Sequence, residues 1–262
     1  MLTNDERDDF TQNGYIIVRK AIAEDRIARL NDVVMHGWRH AVAPVEFETD
    51  VALPDIDQRD SLAGRDSVVR RLRNAFVRDP LFYELLTEAP IHDRLRQLLK
   101  TEHVVMPLGH HNCVMTKAPD GGSETQWHQD FRYWNFATTN LVSLWMALGK
   151  EEPNNGCLRV IPGSHHERFK ASQFDSRSFF RKDAPENQVL IESAVDVRLD
   201  PGDVLFFHCL TLHSAGPNVS ADPKFSAVFT FRDQLNAPTP GSRSAHCGEF
   251  VLPSGEPLES LG

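Results

Sequence analysis

Thr125-Gln126-Trp127-His128-Gln129-Asp130-Phe131-Arg132-Tyr133-Trp134 places an imidazole and a carboxylate two residues apart within an aromatic run. The aromatic content, and the turn residues Pro119-Asp120-Gly121-Gly122 just upstream, indicate a β-strand whose side chains alternate between faces. Gln126, His128, Asp130 and Arg132 then share one face. An imidazole and a carboxylate so placed on a rigid strand reach one metal ion. A second histidine from elsewhere would complete the two-histidine, one-carboxylate set that suits iron(II) and leaves coordination positions open. By itself the triplet is weak. With 12 histidines in 262 residues a His-x-Asp is expected about once by chance, and a hydrogen-bonded pair holding no metal is the ordinary alternative.

The flanking sequence sets the fold class. From His103 onward, short apolar or alternating runs at 103–108, 111–117, 125–131, 140–148, 157–161, 188–198, 204–208, 210–214 and 224–232 are separated by Gly, Pro, Asn and Asp. Many short strands at close spacing predict a β-sandwich or barrel. Helices dominate before that point. Thr3 and Glu6 form a capping-box pattern, and Gly14 stops that helix ahead of the apolar strand Tyr15-Ile16-Ile17-Val18. Ile27, Leu30, Val34 and Trp38 make one stripe of a helix over 23–40, and Asp79-Pro80 and Pro90 open two more. Residues 41–66 read as a long acidic loop, a candidate lid, and 164–187 as a polar insertion over one mouth of the barrel. A single domain over 1–262 is expected, with 1–102 as mostly helical support, 103–233 as barrel core and 234–262 as a meandering C-terminal tail.

Composition removes several function classes. Hydrophobic residues at 40% and charged residues at 25% are ordinary for a soluble globular protein, and no apolar run approaches the roughly 18 residues a membrane span needs. The N-terminus lacks the basic and apolar regions of a signal peptide. Cys113, Cys157, Cys209 and Cys247 lie far apart with no C-x-x-C pair, so they read as reduced and mostly buried, and the cytoplasm is the expected compartment. A formal net charge of −9 argues against a nucleic-acid surface. A small molecule is the expected partner.

His103, His110, His111, His165, His166, His208 and His213 are all candidates for the second histidine. His213 ends an apolar run just before Ser214, Gly216, Pro217 and Asn218, at the strand end where barrel ligands are presented. That favours it over His208 without excluding His208.

The ordered set His128-Gln129-Asp130, Trp145, Asn154-Asn155-Gly156-Cys157-Leu158-Arg159-Val160-Ile161-Pro162-Gly163-Ser164-His165, Gly202-Asp203-Val204-Leu205-Phe206-Phe207-His208 and Leu212-His213-Ser214-Ala215-Gly216-Pro217-Asn218 resembles the phytanoyl-CoA dioxygenase family. The resemblance covers 103–233 well and the helical N-terminus loosely. It implies a double-stranded β-helix (jelly-roll, cupin-like) and a dioxygenase that uses iron(II), 2-oxoglutarate and O2. His128, Asp130 and His213 are then the implied iron ligands and catalytic residues, with His208 structural and His165 and His166 closing a turn. In the family an arginine eleven residues beyond the second iron histidine holds the far carboxylate of 2-oxoglutarate. Lys224 stands there in this chain, with Ser226 on the same face by period two. Lysine offers a point charge where arginine offers a rigid fork. Arg232, on the same face, is the alternative anchor. Trp145, Cys113 and Lys117 join the implied cofactor-binding set, while Ala215 stands where the family carries a hydroxyl.

The implied reaction is hydroxylation of an unactivated C–H of a small acidic substrate, with release of succinate and CO2. A carboxylate at Asp130 fills the position a halide would need and so favours hydroxylation over halogenation. Arg132 and Gln126, flanking the motif on its inner face, are the expected substrate contacts. Two other classes compete: a cupin-like metalloenzyme that does not use 2-oxoglutarate, and a barrel that binds a ligand without catalysis.

Overall fold

The computed structural model describes residues 1–50, 68–119 and 123–253. The lid expectation for 41–66 therefore falls largely outside the described residues. In chain order the elements are α1 (Asn4–Asn13), β1 (Tyr15–Val18), α2 (Glu24–Arg39), β2 (Val45–Phe47), β3 (Val69–Arg73), α3 (Pro80–Thr87), α4 (Ala89–Leu99), β4 (Val104–Pro107), β5 (Asn112–Lys117), β6 (Thr125–His128), β7 (Leu141–Ala147), β8 (Leu158–Val160), α5 (Pro185–Glu192), β9 (Val195–Asp196), β10 (Val204–His208), β11 (His213–Ala215), β12 (Lys224–Asp233) and β13 (Glu249–Val251).

The strands form two antiparallel sheets. The larger runs β1-β10-β7-β12-β5-β3-β2, with β4 joined to β12 and β13 to β4; the smaller runs β6-β11-β8-β9. This is the mainly-β architecture with N-terminal helices that the residue pattern predicts and the double-stranded β-helix that the resemblance implies, although the pairings among the described residues do not close into a continuous barrel.

The N-terminal helices exist because their apolar stripes cover the outer face of the large sheet. Ile27, Leu30 and Val34 of α2, Leu81, Phe82, Leu85 and Leu86 of α3, and Ile91, Leu95 and Leu99 of α4 join Val114, Leu144, Phe206, Phe229 and Phe231 in one buried cluster. Each fully buried Leu or Phe there contributes roughly 1.5–3 kcal/mol of transfer free energy. The capping box at Thr3 and Glu6 is present, and Gly14 closes α1 with φ +79°. A Cβ on Gly14 would lie 2.5 Å from His165 Nδ1 and 2.7 Å from Thr211 Oγ1, so the turn admits only glycine.

The inner faces of the two sheets enclose a second cluster that includes Cys113, Trp145, Leu158, Val160, Leu205, Phe207, Ala215 and Val228. Alternation fixes this. On β12, Lys224, Ser226 and Val228 point inward while Phe225, Ala227 and Phe229 join the outer core.

Three expectations are corrected. The run at 125–131 is a strand only through His128; Asp130 opens a 3-10 turn over Asp130–Tyr133, so alternation ends before Arg132. Residues 188–198 are not one strand: Pro185 starts α5, which runs to Glu192, and only Val195–Asp196 pair. Pro at the first helical position and a polar first turn outweigh the apolar content of that stretch. The C-terminal segment is more than a tail, because β13 pairs with β4 in register Glu249↔Pro107, Phe250↔Met106 and Val251↔Val105.

Candidate metal centre

β6 and β11 are neighbours in the small sheet, with His128 directly opposite His213. Their ring centroids are 4.2 Å apart. Asp130, turned inward by the 3-10 turn, brings Oδ1 to 3.6 Å from His128 Nε2 and 3.7 Å from His213 Nε2. One donor atom from each of the three lies within 4.8 Å of the others, and His128, Asp130 and His213 form the only such cluster among the described residues.

The histidine orientations follow from backbone acceptors. His128 Nδ1 lies 2.8 Å from the carbonyl of Gln126, and His213 Nδ1 lies 2.9 Å from the carbonyl of Thr211. A carbonyl only accepts, so each Nδ1 carries the proton and each Nε2 presents a lone pair to the shared centre. Asp130 is 2% exposed. Its Oδ1 is 3.1 Å from His111 Nε2, and its Oδ2 accepts from Ser143 Oγ at 3.2 Å.

Protonation states suit a metal ligand set. Burial alone would raise the Asp130 carboxyl, but its histidine neighbours, the charge and hydrogen bond of His111 foremost, hold it well below the usual carboxylate range. Burial and the neighbouring His128 push His213 down to about 4, so it is neutral near pH 7. A deprotonated carboxylate and a neutral imidazole are the forms that bind a divalent ion. Two imidazoles and one carboxylate, with no thiolate, match iron(II) in donor chemistry.

A second polar group lies deeper between the sheets. Lys224 Nζ is 3.0 Å from Glu151 Oε2 and 3.1 Å from Ser226 Oγ. Ser226 Oγ donates to Glu151 Oε1 at 2.6 Å, and Trp145 Nε1 donates to the same oxygen at 2.9 Å. Lys117, directly opposite Lys224 in the β5–β12 ladder, donates to the carbonyls of Gly216 and Ser123. Burial, then the neighbouring charge of Lys224, pushes the Lys117 ammonium down to about 7.

The structure thus brings Lys224, Ser226, Trp145 and Lys117 into the interior, with Cys113 buried in the same apolar cluster as Trp145. Glu151 escapes sequence reading because it lies outside every motif, just past the end of β7. His111, in hydrogen-bond contact with Asp130, stands out in sequence only as one of several histidine candidates.

Other candidates fall elsewhere. Arg132 turns its guanidinium over the ring of Phe174, 3.2 Å from the centroid, and its Nε bonds Gln129. Arg232 pairs with Glu249 at 2.5 Å and with the carbonyls of Asp233 and Gln234, so it is not an interior anchor. His208 is on the outward face of β10, accepts from Leu210 N and packs near His165.

A cavity of about 320 Å³ opens over the centre. It is lined by His128, Asp130 and His111 of the centre, and by Arg70, Arg71 and Arg243. Arg70 and Arg71 are partly neutralised by Glu46 and Glu48.

Residues 10–226 match the sequence model described as Phytanoyl-CoA dioxygenase (PhyH). Peroxisomal phytanoyl-CoA dioxygenase from Mus musculus is 28% identical over 236 residues, 83% of this chain; the chain spans 64% of the length of that relative. Ectoine dioxygenase from Bordetella bronchiseptica is 22% identical over 256 residues, covering 91% of this chain and 78% of the relative. Among solved structures, EctD from S. alaskensis with 2-oxoglutarate and 5-hydroxyectoine superposes with a TM-score of 0.73 at 20% identity, covering 91% of this chain and 78% of that one. At that identity the likeness shows the fold.

Proposed function

The chain belongs to the phytanoyl-CoA dioxygenase family, and on that premise we propose that it is an iron(II)- and 2-oxoglutarate-dependent dioxygenase. Its reaction is hydroxylation of an unactivated C–H of a small acidic molecule, with release of succinate and CO2. The observation that carries this reading is the convergence of His128 Nε2, His213 Nε2 and Asp130 Oδ1 on one point. Iron(II) held there supplies oxygen activation coupled to decarboxylation of the 2-oxo acid.

The chain's own residues do the rest. Thr211 and Gln126 carbonyls keep both Nε2 atoms aimed at the ion, and Ser143 and His111 hold the carboxylate between them. In the interior layer Lys224, paired with Glu151, stands opposite Lys117 in the β5–β12 ladder, so two ammonium groups are within the layer that receives the distal carboxylate. That is why 2-oxoglutarate fits the residues present. Arg243, Arg71 and Gln126, which line the cavity, suit an acidic group on the substrate, and Trp134 and Phe179 suit its apolar part.

We place the reaction in a single domain. No helix among the described residues is long and apolar enough to cross a membrane. All four cysteines are free, in keeping with a reducing compartment such as the cytoplasm.

One observation favours a second reading, a cupin-like metalloenzyme without 2-oxoglutarate: the charge of Lys224 already meets a protein carboxylate. Anaerobic addition of 2-oxoglutarate to the iron(II) protein separates the two. A visible charge-transfer band is the expected result; iron binding without such a band supports the cupin-like reading, and no iron binding removes both.

A further inference from the structure

The family resemblance assigns Lys224, Ser226 and Trp145 to the 2-oxo acid, yet in this chain all three converge on Glu151. Past β7 the chain turns through Gly149 and Lys150, and a backbone bridge to Leu199 carries Glu151 inward. Its side chain is 0% exposed. Oε2 receives the Lys224 ammonium at 3.0 Å, and Oε1 receives the Ser226 hydroxyl at 2.6 Å and the Trp145 indole N–H at 2.9 Å. The hydroxyl and the indole each have one hydrogen to give, and both are given to Oε1. Glu151 therefore holds the interactions that a distal carboxylate of a co-substrate would use.

Resting on the dioxygenase reading, we propose that Glu151 is a specificity-determining residue for the co-substrate: an internal carboxylate that competes with the distal carboxylate of the 2-oxo acid for Lys224. While Glu151 is ionised, a second carboxylate at Lys224 meets a like charge. A 2-oxo acid with an uncharged tail meets no such repulsion. The pair thus lowers affinity for 2-oxoglutarate and narrows its advantage over 2-oxo acids lacking the distal charge. Removing the Glu151 charge leaves Lys224 buried without a counter-ion, and 2-oxoglutarate then supplies one.

The test is anaerobic titration of the iron(II) protein with 2-oxoglutarate and with 2-oxopentanoate, which shares the chelating end and lacks the charged tail. Glu151→Gln keeps an acceptor for Ser226 and Trp145 and deletes the charge. It should tighten 2-oxoglutarate by about tenfold or more, the range of a buried charge pair made or lost, and leave 2-oxopentanoate nearly unchanged. Glu151→Gln combined with Lys224→Met should lose the gain. The rise in Tm on adding 2-oxoglutarate should be larger for Glu151→Gln than for the parent. Should Glu151→Gln fail to fold, Glu151→Asp withdraws the carboxylate from Lys224 and must shift affinity in the same direction. Unchanged or weaker 2-oxoglutarate binding in the folded variant, or equal tightening of both acids, overturns the proposal while leaving the dioxygenase reading intact. A parent that binds iron and responds to neither acid overturns that reading, and the role of Glu151 with it.

Discussion

His128 and His213 face one another across the β6–β11 ladder with ring centroids 4.2 Å apart, and each directs Nδ1 to the carbonyl two residues before it. This repeated backbone lock makes the pair a preset chelate. His128→Ala, Asp130→Ala and His213→Ala should each abolish turnover and iron retention, because a three-ligand set has no spare protein ligand. His208→Ala, altering an outward-facing side chain, should keep a measurable fraction. Metal content after desalting and turnover rates check this together; an inactive His208→Ala beside an active His213→Ala would contradict it.

His111 and Ser143 act on the centre through Asp130. His111→Gln or Ser143→Ala should weaken iron affinity by about 10- to 100-fold, the usual cost of losing a group that orients a ligand. An iron(II) competition titration reads the effect, and parent-like affinity in both variants would remove these residues from the site.

The Lys224–Glu151 pair changes what loss of Lys224 does. Lys224→Ala leaves a 0%-exposed glutamate without its cation, at a cost on the order of 3–5 kcal/mol. The variant should therefore lose stability as well as co-substrate affinity, and Lys224→Met with Glu151→Gln should recover much of the stability. Urea midpoints of the two single variants and the double decide it; additive losses would show that the two side chains are not coupled.

Acid should destabilise the fold through His208. Burial, then the charges of His165 and His166, lowers its pKa from 6.5 to about 4. The unfolded chain takes up a proton that the folded one refuses, so this contribution to stability is complete above about pH 6.5 and is lost as pH falls toward 4. The slope for one such histidine is ~1.4 kcal/mol per pH unit. Urea melts between pH 7.5 and 5 should show His208→Gln less acid-sensitive than the parent; identical slopes would exclude the group.

Much of the site is legible in sequence because alternation and turn chemistry are local. The stripe at Ile27, Leu30 and Val34, the cap at Thr3 and Glu6, and the inward pair Lys224 and Ser226 appear as the residue pattern predicts. Long-range placement is where local reasoning stops. Asp130 reaches the centre from a 3-10 turn, not a strand, and the same turn sends Arg132 to Phe174. Glu151 lies between Lys150 and Glu152, outside every motif, and the bridge to Leu199 and the contacts of Lys224, Ser226 and Trp145 place it in the interior. α5 and β13 owe their form to Pro185 and to the open edge of β4, neither of which an apolar count registers.

The activity is measured most simply as succinate formed from 2-oxoglutarate by the iron(II) protein under air, with Asp130→Ala run beside the parent. The proposed activity predicts succinate from the parent, stimulated by an acidic substrate, and none above background from Asp130→Ala. Iron-loaded parent protein that forms no succinate with or without candidate acids, or equal succinate from Asp130→Ala, would contradict it.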